Sequence, residues 1–435
     1  MYLILLSVLL GAILTLYSVL SASSYSDKSS RSHTTPREIV QLLGYSSSSS
    51  ITQHLHSRAL ANQRLRRAFR LTNTFVSDEV EVHDAFVGRM NELIRGQSRL
   101  GSAKQWMTFL QVSRRAVSSE LNSFIDPSSS SSSGYAFAEF IQIVTLKIII
   151  AGFLDPNRDI DELDAEGLRV SATLIMKLWT LSKTAHWSSI DSSESELTTL
   201  NEHLCRLLPD REMYPDPINF VIPTWETLWR LVATCIARIY KDVPYRDVFR
   251  NFLDEPTYQR FGPSNSRSRA DDTDISDLCA SWIINETLRL HPPSKHISRS
   301  FVVGKPFILQ FMISFTPRCI AGWLKLEGDA SSPQIRSQVA DVEKVHLSTD
   351  IWGPNALDFE PRRWRSLNDR RDRTPTLFAF GDGPLMCVGK KWAPMAAALM
   401  IAAIFEGFEA EGLDIEGTST IGGRAGWDGW RISRV

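Results

Sequence analysis

Apolar residues that recur every three or four positions run through most of this chain, a spacing typical of helices with one buried face. Segments 64–70 and 83–93 show this spacing, and the first of them is rich in arginine. After Asp155 the apolar positions of a longer helix are Leu168, Ala172, Ile175, Leu178 and Leu181. Strict alternation of apolar and polar residues, the pattern of a half-buried strand, is scarce. The sequence therefore predicts a mainly α fold with minor β.

Residues 3–20 form an almost wholly apolar stretch at the N-terminus. A helix of that length rises roughly 27–30 Å, enough for the hydrocarbon core of a bilayer. Lys28, Arg31 and Arg37 follow the stretch and no basic side chain precedes it, which places the following chain in the cytoplasm. We predict a membrane anchor over residues 1–24. A cleaved signal peptide, with a small-residue site at residues 21–23, is the alternative.

A second apolar stretch covers residues 135–154, but Glu139, Gln142 and Lys147 interrupt it. Charges in the middle of a membrane span cost a few kcal/mol each on insertion scales. We therefore expect this segment to be a buried helix of a globular domain, and serine runs at 46–50 and 128–133 to be surface loops.

Composition narrows the class of protein. With 43% hydrophobic residues, the 435-residue chain can bury a sizeable core. Its 48 basic and 49 acidic residues give no overall basic field, so nucleic acid is not an expected partner. The five cysteines are too few, and odd in number, for a disulfide framework. They fit a reducing compartment and leave one thiol available for chemistry.

That thiol is Cys387, which lies in the glycine-rich segment Phe378-Ala-Phe-Gly-Asp-Gly-Pro-Leu-Met-Cys-Val-Gly389. An apolar, alanine-rich helical stretch follows it. Glycines let a backbone approach a flat partner closely, and N–H groups near a helix start stabilise a thiolate. A thiolate presented in this way suits the axial position of a haem iron. Four other cysteines have apolar or helical neighbours and are interpreted as small core residues.

The segment resembles the haem-binding loop of the cytochromes P450, here residues 378–389. The resemblance implies haem b, with Cys387 as the iron ligand and Phe380 packed beside the thiolate. The glycines of the motif are Gly381, Gly383 and Gly389. In the family an arginine or histidine usually stands two residues before the cysteine and contacts a haem propionate. Leu385 replaces it here, so the resemblance implies a greater dependence on other cations.

Two further motifs follow in the family's order. Trp282-Ile-Ile-Asn-Glu-Thr-Leu-Arg-Leu-His-Pro-Pro293 resembles its Glu-x-x-Arg segment, with Glu286 and Arg289 three residues apart on one helix face. Phe359-Glu-Pro-Arg-Arg-Trp364 resembles its Phe-x-Pro-Glu-Arg-Trp, with Arg362 in place of glutamate. The resemblance implies that Arg363 joins Glu286 and Arg289 in a buried network. It also places Arg299 where many relatives have an arginine that reaches a haem propionate; a solvated arginine is the alternative.

A helix across the distal haem face is the remaining part that the resemblance requires. Residues 222–230 read Ile-Pro-Thr-Trp-Glu-Thr-Leu-Trp-Arg, and Glu226-Thr227 matches the family's acid–alcohol pair. We assign both a catalytic role, Thr227 donating to oxygen and Glu226 supplying protons. Pro223 lacks an N–H, so the carbonyl of Asn219 loses its helical partner, and we predict a polar notch there for dioxygen or water. An amphipathic core helix is the alternative.

The resemblance implies a cytochrome P450 fold behind an N-terminal transmembrane helix, with residues 25–435 as the catalytic domain. It implies a haem-thiolate monooxygenase that takes electrons from an NADPH-dependent reductase and adds oxygen from O2 to a small apolar substrate. The Pro-x-Trp-Glu-Thr sequence is similar to some fungal members of secondary metabolism. The implied location is the endoplasmic reticulum membrane. A haem-binding but inactive or truncated relative is one alternative, because Leu385, Arg362 and segment 301–334 depart from the family. A membrane-bound thiol hydrolase that uses Cys387 with a histidine is the other.

Overall fold

The computed structural model describes most of the chain between residues 30 and 434. The anchor predicted over residues 1–24, the serine run at 128–133 and most of the divergent segment 301–334 lie outside the described residues. The described ranges are 30–44, 50–98, 103–125, 135–183, 192–263, 278–303, 334–368, 376–424 and 426–434.

Helices dominate the described chain, as the spacing of apolar residues predicts. A single π turn, Ile150–Leu154, extends the helix Phe137–Ile149, and short 3₁₀ turns cover Ile160–Glu162, Gly383–Leu385 and Val388–Lys390. The helices are α1 (Pro36–Leu43), α2 (Ile51–Ala61), α3 (Gln63–Phe69), α4 (Val80–Ser98), α5 (Ala103–Ile125), α6 (Phe137–Ile149), α7 (Ala165–Leu181), α8 (Ser192–Leu207), α9 (Ile218–Ile239), α10 (Val243–Asp254), α11 (Tyr258–Phe261), α12 (Ala280–Leu290), α13 (Val342–His346), α14 (Thr349–Trp352), α15 (Arg363–Asn368) and α16 (Trp392–Ala410).

Two small sheets complete the described architecture. In the first, β4 (Gln334–Asp341) lies between β1 (Arg31–His33), to which it is parallel, and β3 (His296–Val303), to which it is antiparallel. In the second, β6 (Arg431–Arg434) pairs antiparallel with β2 (Tyr135–Ala136) and β5 (Leu413–Glu416). The minor β content predicted from the sequence is thus confirmed.

The core is a bundle in which α5, α6, α9 and α16 pack on one another. Helix α16 is alanine-rich, and small side chains let the neighbouring helices approach closely along it. Helix α12 packs against both α9 and α16, which places the Glu286 segment beside the bundle.

Two helical segments, Phe137–Leu154 and Trp392–Ala410, are long and apolar enough to cross a membrane. Both are mostly buried inside the protein, where 83% and 72% of their residues lie in the interior. Their apolar residues are therefore explained by core packing, and the expectation of a buried helix at residues 135–154 is confirmed.

Candidate active site

The Cys387 loop is held in shape by its own backbone. The Gly381 N–H donates to the Phe378 carbonyl over 2.9 Å, and the Cys387 N–H donates to the Phe380 carbonyl over 2.9 Å. The second bond brings the cysteine back beside the aromatic residue seven positions earlier. Phe380 is half-buried against the main core, so the loop is fixed to the bundle at this point.

Two glycines of the loop are required by geometry. Gly381 has φ +72° and Gly383 has φ +69°, in the left-handed region that favours glycine. A Cβ at Gly383 would also overlap the backbone of Leu43 and Gly44 at the end of α1. Gly389 is different, because a Cβ there would make an ordinary 3.6 Å contact with Cys387 Sγ. The loop therefore lies directly against α1.

Cys387 is accessible from outside the protein. Its side chain is exposed, yet enough protein surrounds the thiol for desolvation to raise its pKa, an effect that the Gly389 N–H partly opposes by hydrogen bonding to sulfur. Cys235 and Cys279 are buried instead, as expected of core residues, and burial raises the pKa of Cys235 to about 12. Among the described cysteines, the exposed thiol is the one in the glycine loop.

The structure brings Glu286, Arg289 and Arg363 together. Arg289 donates to both Glu286 oxygens, Nε to Oε2 over 2.9 Å and Nη2 to Oε1 over 2.7 Å, and both side chains are fully buried. Arg363 Nε donates to Glu286 Oε1 over 2.8 Å. Two further donors, Trp364 Nε1 and the Glu360 N–H, complete the shell of the carboxylate. The pair is therefore an interior network rather than a surface ion pair.

His346 connects this network to the cysteine loop. Its carbonyl accepts from Arg289 Nη1 over 2.8 Å, and its Nε2 accepts the Phe378 N–H over 2.8 Å. The side chain is fully buried, and desolvation, followed by the Arg289 charge, lowers the pKa of His346 to about 3. A neutral imidazole keeps Nε2 available as an acceptor at ordinary pH. The first residue of the loop is thus tied to the buried carboxylate network.

Arg299 is buried and faces a second buried arginine. Ile297 lies next to Gly381 of the loop, and Arg299, two residues further along β3, projects from the same face of the strand. Arg58 on α2 is also buried and donates to Thr74, through Nη2 to its carbonyl over 2.6 Å. The Nε atoms of Arg58 and Arg299 have no hydrogen-bond partner among the described residues. The solvated alternative for Arg299 is therefore wrong.

Burial depresses the pKa of both guanidinium groups. It lowers the pKa of Arg58 to about 9, with the Arg299 charge as the second cause, and the pKa of Arg299 to about 10. Desolvation and then Arg299 also lower the pKa of His54, one helical turn before Arg58. Within the described residues neither arginine has a carboxylate partner. Two buried like charges without a counter-charge form a ready site for anionic groups.

Helix α9 contains Pro223, and the consequence for Asn219 differs from the prediction. The Asn219 carbonyl lacks a helical N–H donor, as expected, but Asn73 Nδ2 donates to it over 2.8 Å. Asn219 also exchanges hydrogen bonds with Thr72, whose N–H donates to Oδ1 and whose hydroxyl accepts from Nδ2. The prediction of an open notch for dioxygen or water is therefore wrong, because an amide fills it.

The acid and the alcohol of α9 have different surroundings. Glu226 is buried and pairs with Arg230, over 2.8 Å, and with Arg424 of the C-terminal segment. The side chain of Thr227 is exposed, and its hydroxyl has no hydrogen-bond partner among the described residues. Thr224, one turn earlier, donates instead to the Phe220 carbonyl over 2.7 Å. The Thr227 hydroxyl is thus available for an external partner.

Sequence reasoning missed Arg58, His346's contact with Phe378, and Asn73. His54 and Arg58 are four residues apart at helical spacing, but the neighbouring helix α3 contains several other arginines of the same kind. The replacement of the usual basic residue by Leu385 was the available signal, since it implied that buried cations must come from elsewhere. The Leu385 replacement does not indicate which segment supplies those cations.

Comparison with known proteins agrees with this geometry. Residues 340–421 match the sequence profile described as Cytochrome P450. Benzoate 4-monooxygenase of Aspergillus niger is 30% identical over 131 residues, which are 30% of this chain and 22% of that protein. The cytochrome P450 monooxygenase himC of Aspergillus japonicus is 24% identical over 228 residues, 52% of this chain and 37% of that one. The matched region thus spans well under half the length of either relative.

The fold extends the likeness to nearly the whole chain. The crystal structure of the cytochrome P450DA heme domain superposes with a TM-score of 0.56, covering 94% of this chain and 88% of that one at 13% sequence identity. At so low an identity the superposition establishes the fold alone. It does, however, include the N-terminal half, where the sequence resemblance is loose.

Proposed function

We propose that this chain is a cytochrome P450, a haem-thiolate monooxygenase that oxidises a small, largely apolar organic substrate with dioxygen; the match over residues 340–421 and the fold support it. The observation that supports this most strongly is Cys387 on a glycine turn. The thiol is open to an external group, and its loop is tied through His346 to a buried carboxylate network. A structural cysteine would need neither feature.

The residues present fit the haem that the family and fold imply. Cys387 would hold the iron, and the two buried guanidinium groups of Arg58 and Arg299 would meet the propionates. Their unpartnered Nε atoms and the missing counter-charge are the reason for this assignment. The two arginines would supply the positive charge that is missing where Leu385 replaces the family's usual basic residue. When bound, the haem supplies iron that binds and activates dioxygen, and the thiolate donates electron density to it.

The remaining roles belong to the protein's own side chains. The Gly389 N–H donates to the Cys387 sulfur and thereby moderates its basicity. We assign Thr227 Oγ1 to hold a proton for delivery to the oxygen substrate, because its hydroxyl is exposed and uncommitted. Glu226 lies between two arginines, and these ion pairs position α9. Its sequence-predicted part in supplying protons remains a proposal that requires one of these ion pairs to open.

Partners and location follow from the family and from the N-terminal sequence. We propose electron supply by an NADPH-dependent flavoprotein reductase, and a membrane anchor within residues 1–24 that holds the domain on the cytoplasmic face of the endoplasmic reticulum. The apolar stretch at 3–20 and the basic residues after it support the anchor. Two fungal relatives support a role in small-molecule oxidation, with secondary metabolism as the proposed setting.

The test is the haem spectrum and turnover of the purified full-length protein. We expect haem at about one per chain and the red-shifted ferrous–carbon monoxide band of thiolate ligation. Cys387→Ser should lose both this band and all turnover, since a serine hydroxyl is a far weaker ligand. Cys205→Ser is the matched control, because that thiol is only partly exposed and lies on α8.

Each outcome assigns the protein to one class. Absence of haem from the folded protein would overturn the proposal in favour of a thiol enzyme. A normal band without turnover of any substrate in the presence of reductase would identify a haem-binding but inactive relative. A normal band in Cys387→Ser would show that another residue binds the iron.

A further inference from the structure

A second cluster of arginines surrounds Glu226 on the face of α9 next to Thr227. Arg230 Nη2 donates to Glu226 Oε2, and Arg424 contacts the other carboxylate oxygen, Oε1. Arg424 belongs to the segment after β5, so the pair joins the C-terminal segment of the chain to the middle of α9. All three side chains are largely buried, with 3% to 16% of their surface exposed.

The indole ring of Trp179 contacts two cations of the cluster. The Arg424 guanidinium lies 4.2 Å from the ring centroid of Trp179, and the Arg64 guanidinium lies 5.5 Å from the same centroid. Arg64 also donates to the hydroxyl of Ser182, at the end of α7, over 3.0 Å. Four separate segments, α3, the end of α7, α9 and the C-terminal segment, thus converge on this place.

The cluster carries more positive than negative charge. It contains three guanidinium groups, and Glu226 is the only carboxylate among the described residues in ion-pair contact with any of them. Lys183 adds a fourth cation close enough for the charges of Arg424, Arg64 and Arg230 to lower its pKa further, after desolvation. A partly desolvated site with a net charge of at least +2 favours the entry of an anion.

The cluster also has unused hydrogen-bonding capacity. Arg424 Nε is buried and has no hydrogen-bond partner among the described residues, and burial lowers the Arg424 pKa to about 10. Within the described part of the chain, the Arg64 guanidinium makes a single hydrogen bond, to Ser182. Guanidinium groups present N–H donors in a planar fork that matches a carboxylate. Thr227 is the next residue of α9 after Glu226, so the cluster and the exposed hydroxyl lie at the same level of this helix, on neighbouring faces.

We propose that Arg424 and Arg64 form the recognition site for an anionic group of the substrate, so that the enzyme oxidises an organic acid with an apolar body. The proposal rests on the proposed function, because it places the acid beside the residue assigned to oxygen. The carboxylate would bind between the two guanidinium groups that Trp179 aligns. The apolar remainder would extend along α9 toward Thr227.

The experiment compares acids with the amides of the same shape. Benzoate and benzamide, 4-phenylbutanoate and 4-phenylbutanamide, and decanoate and decanamide are titrated into the haem-loaded, full-length protein. Binding is measured by calorimetry and by the change in the haem spectrum, so that turnover is not needed. We expect at least one acid to bind about tenfold or more tightly than its amide, and this preference to weaken as salt is raised.

Three variants locate the preference. Arg424→Gln and Arg64→Gln should each remove most of it, about tenfold in acid affinity, with amide affinity unchanged. Arg66→Gln is the matched control, since Arg66 lies on the same helix as Arg64 but is exposed. Arg424→Lys keeps the positive charge but loses the planar pair of guanidinium N–H donors. It should therefore retain part of the preference for the acid over the amide.

The results separate this proposal from the one before it. A normal haem spectrum with no acid preference in any pair, or with a preference that both glutamine variants retain, overturns the anion site and leaves the monooxygenase intact. Loss of haem from the wild-type protein would overturn the proposed function instead. Should Arg424→Gln not fold, Arg64→Gln carries the test, because Arg64 makes no ion pair within the described chain.

Discussion

Two glutamates of this protein each pair with two arginines, and the surroundings of the two pairs differ. Around Glu286, the guanidinium N–H groups left over from Arg289 and Arg363 donate to backbone carbonyls, including those of His346, Ala356 and Asp358. Around Glu226, Arg230 finds a similar acceptor in the Pro293 carbonyl, but Arg424 Nε has none. The same residue types thus form a closed network in one place and an open one in the other.

The difference teaches how each site relates to stability and function. Carbonyl dipoles around Glu286 absorb the extra positive charge, so removing any member leaves a buried group unpaired. Around Glu226 the extra positive charge of Arg424 and Arg64 lies over the Trp179 ring and remains available to an anionic ligand. A closed network should therefore matter for folding and an open one for ligand binding, and five measurements test that contrast.

The largest effect is expected for Arg289→Leu. It leaves the fully buried Glu286 without its main partner, and breaking such a pair costs about 3–5 kcal/mol of unfolding free energy. We expect little folded, haem-loaded protein, measured as soluble yield and haem per chain. The exposed pair Arg70–Glu194 provides the control, and Arg70→Leu should express normally. Normal haem loading of Arg289→Leu would contradict the closed-network interpretation.

Thr227→Ala tests the open side at the hydroxyl beside Glu226. If Thr227 Oγ1 holds the proton for oxygen, its loss should reduce product formation about a hundredfold while reductant use continues and hydrogen peroxide is released. NADPH use, peroxide and product are measured together with a substrate that the acid–amide titration identifies. Thr224→Ala is the control, because that hydroxyl is bonded to its own helix. Unchanged coupling in Thr227→Ala would mean that Glu226-Thr227 only packs the helix.

His346→Ala tests the connection between the closed network and the cysteine loop. It leaves the Phe378 N–H without its acceptor, at a cost of about 1–3 kcal/mol. We expect a reduced fraction of the thiolate-type carbon monoxide band in protein that still binds haem. His346→Gln, whose amide oxygen can accept the same N–H, should restore part of that fraction. A loss of stability with an unchanged band would show that His346 only fills space.

The same histidine predicts a pH dependence. Its pKa of about 3 lies below the ordinary value of 6.5, so the unfolded chain takes up a proton first as the pH falls. The stability that neutral His346 contributes is therefore complete above pH 6.5 and decreases below it, down to about pH 3. The slope is at most about 1.4 kcal/mol per pH unit. Urea unfolding at pH 7 and pH 5 should show this component in the wild type and not in His346→Gln.

The smallest effect on stability is expected for Arg424→Gln. Glu226 keeps its ion pair with Arg230, and a glutamine can still donate a hydrogen bond, so we expect a loss of about 1 kcal/mol, with haem content unchanged. Chemical unfolding of the holoprotein measures it. A loss as large as that of Arg289→Leu would show that the cluster around Glu226 is a second structural network, and the contrast between the two glutamates would disappear.

The features that the sequence predicted are motifs whose residues lie close together along the chain. Cys387 and its glycines, and the three-residue interval from Glu286 to Arg289, are read within one turn or one loop. The resemblance that rests on them is supported by the sequence profile over residues 340–421, and the predicted fold is confirmed by the structural superposition. The transmembrane anchor falls outside the described residues and remains a prediction.

The parts that the sequence did not predict join distant segments. Asn73 reaches a carbonyl 146 positions away, and His346 accepts from an N–H 32 positions away. No periodicity marks such partners, because each depends on how two elements cross in space. The open notch at Pro223 was wrong for this reason: the freed carbonyl was read correctly, but its partner comes from a turn between α3 and α4.

That turn has a mechanical consequence. Thr72 and Asn73 hydrogen-bond to Asn219 on α9. The carbonyl of the next residue, Thr74, accepts a hydrogen bond from Arg58. Three consecutive residues therefore connect α9, the helix that carries Thr227, to the buried guanidinium group of Arg58 on α2. Any displacement of α9 at Asn219, whether from a ligand or from an engineered substitution, is transmitted to the acceptor of Arg58. Variants selected for changes on that helix should accordingly be checked for how firmly they retain the prosthetic group.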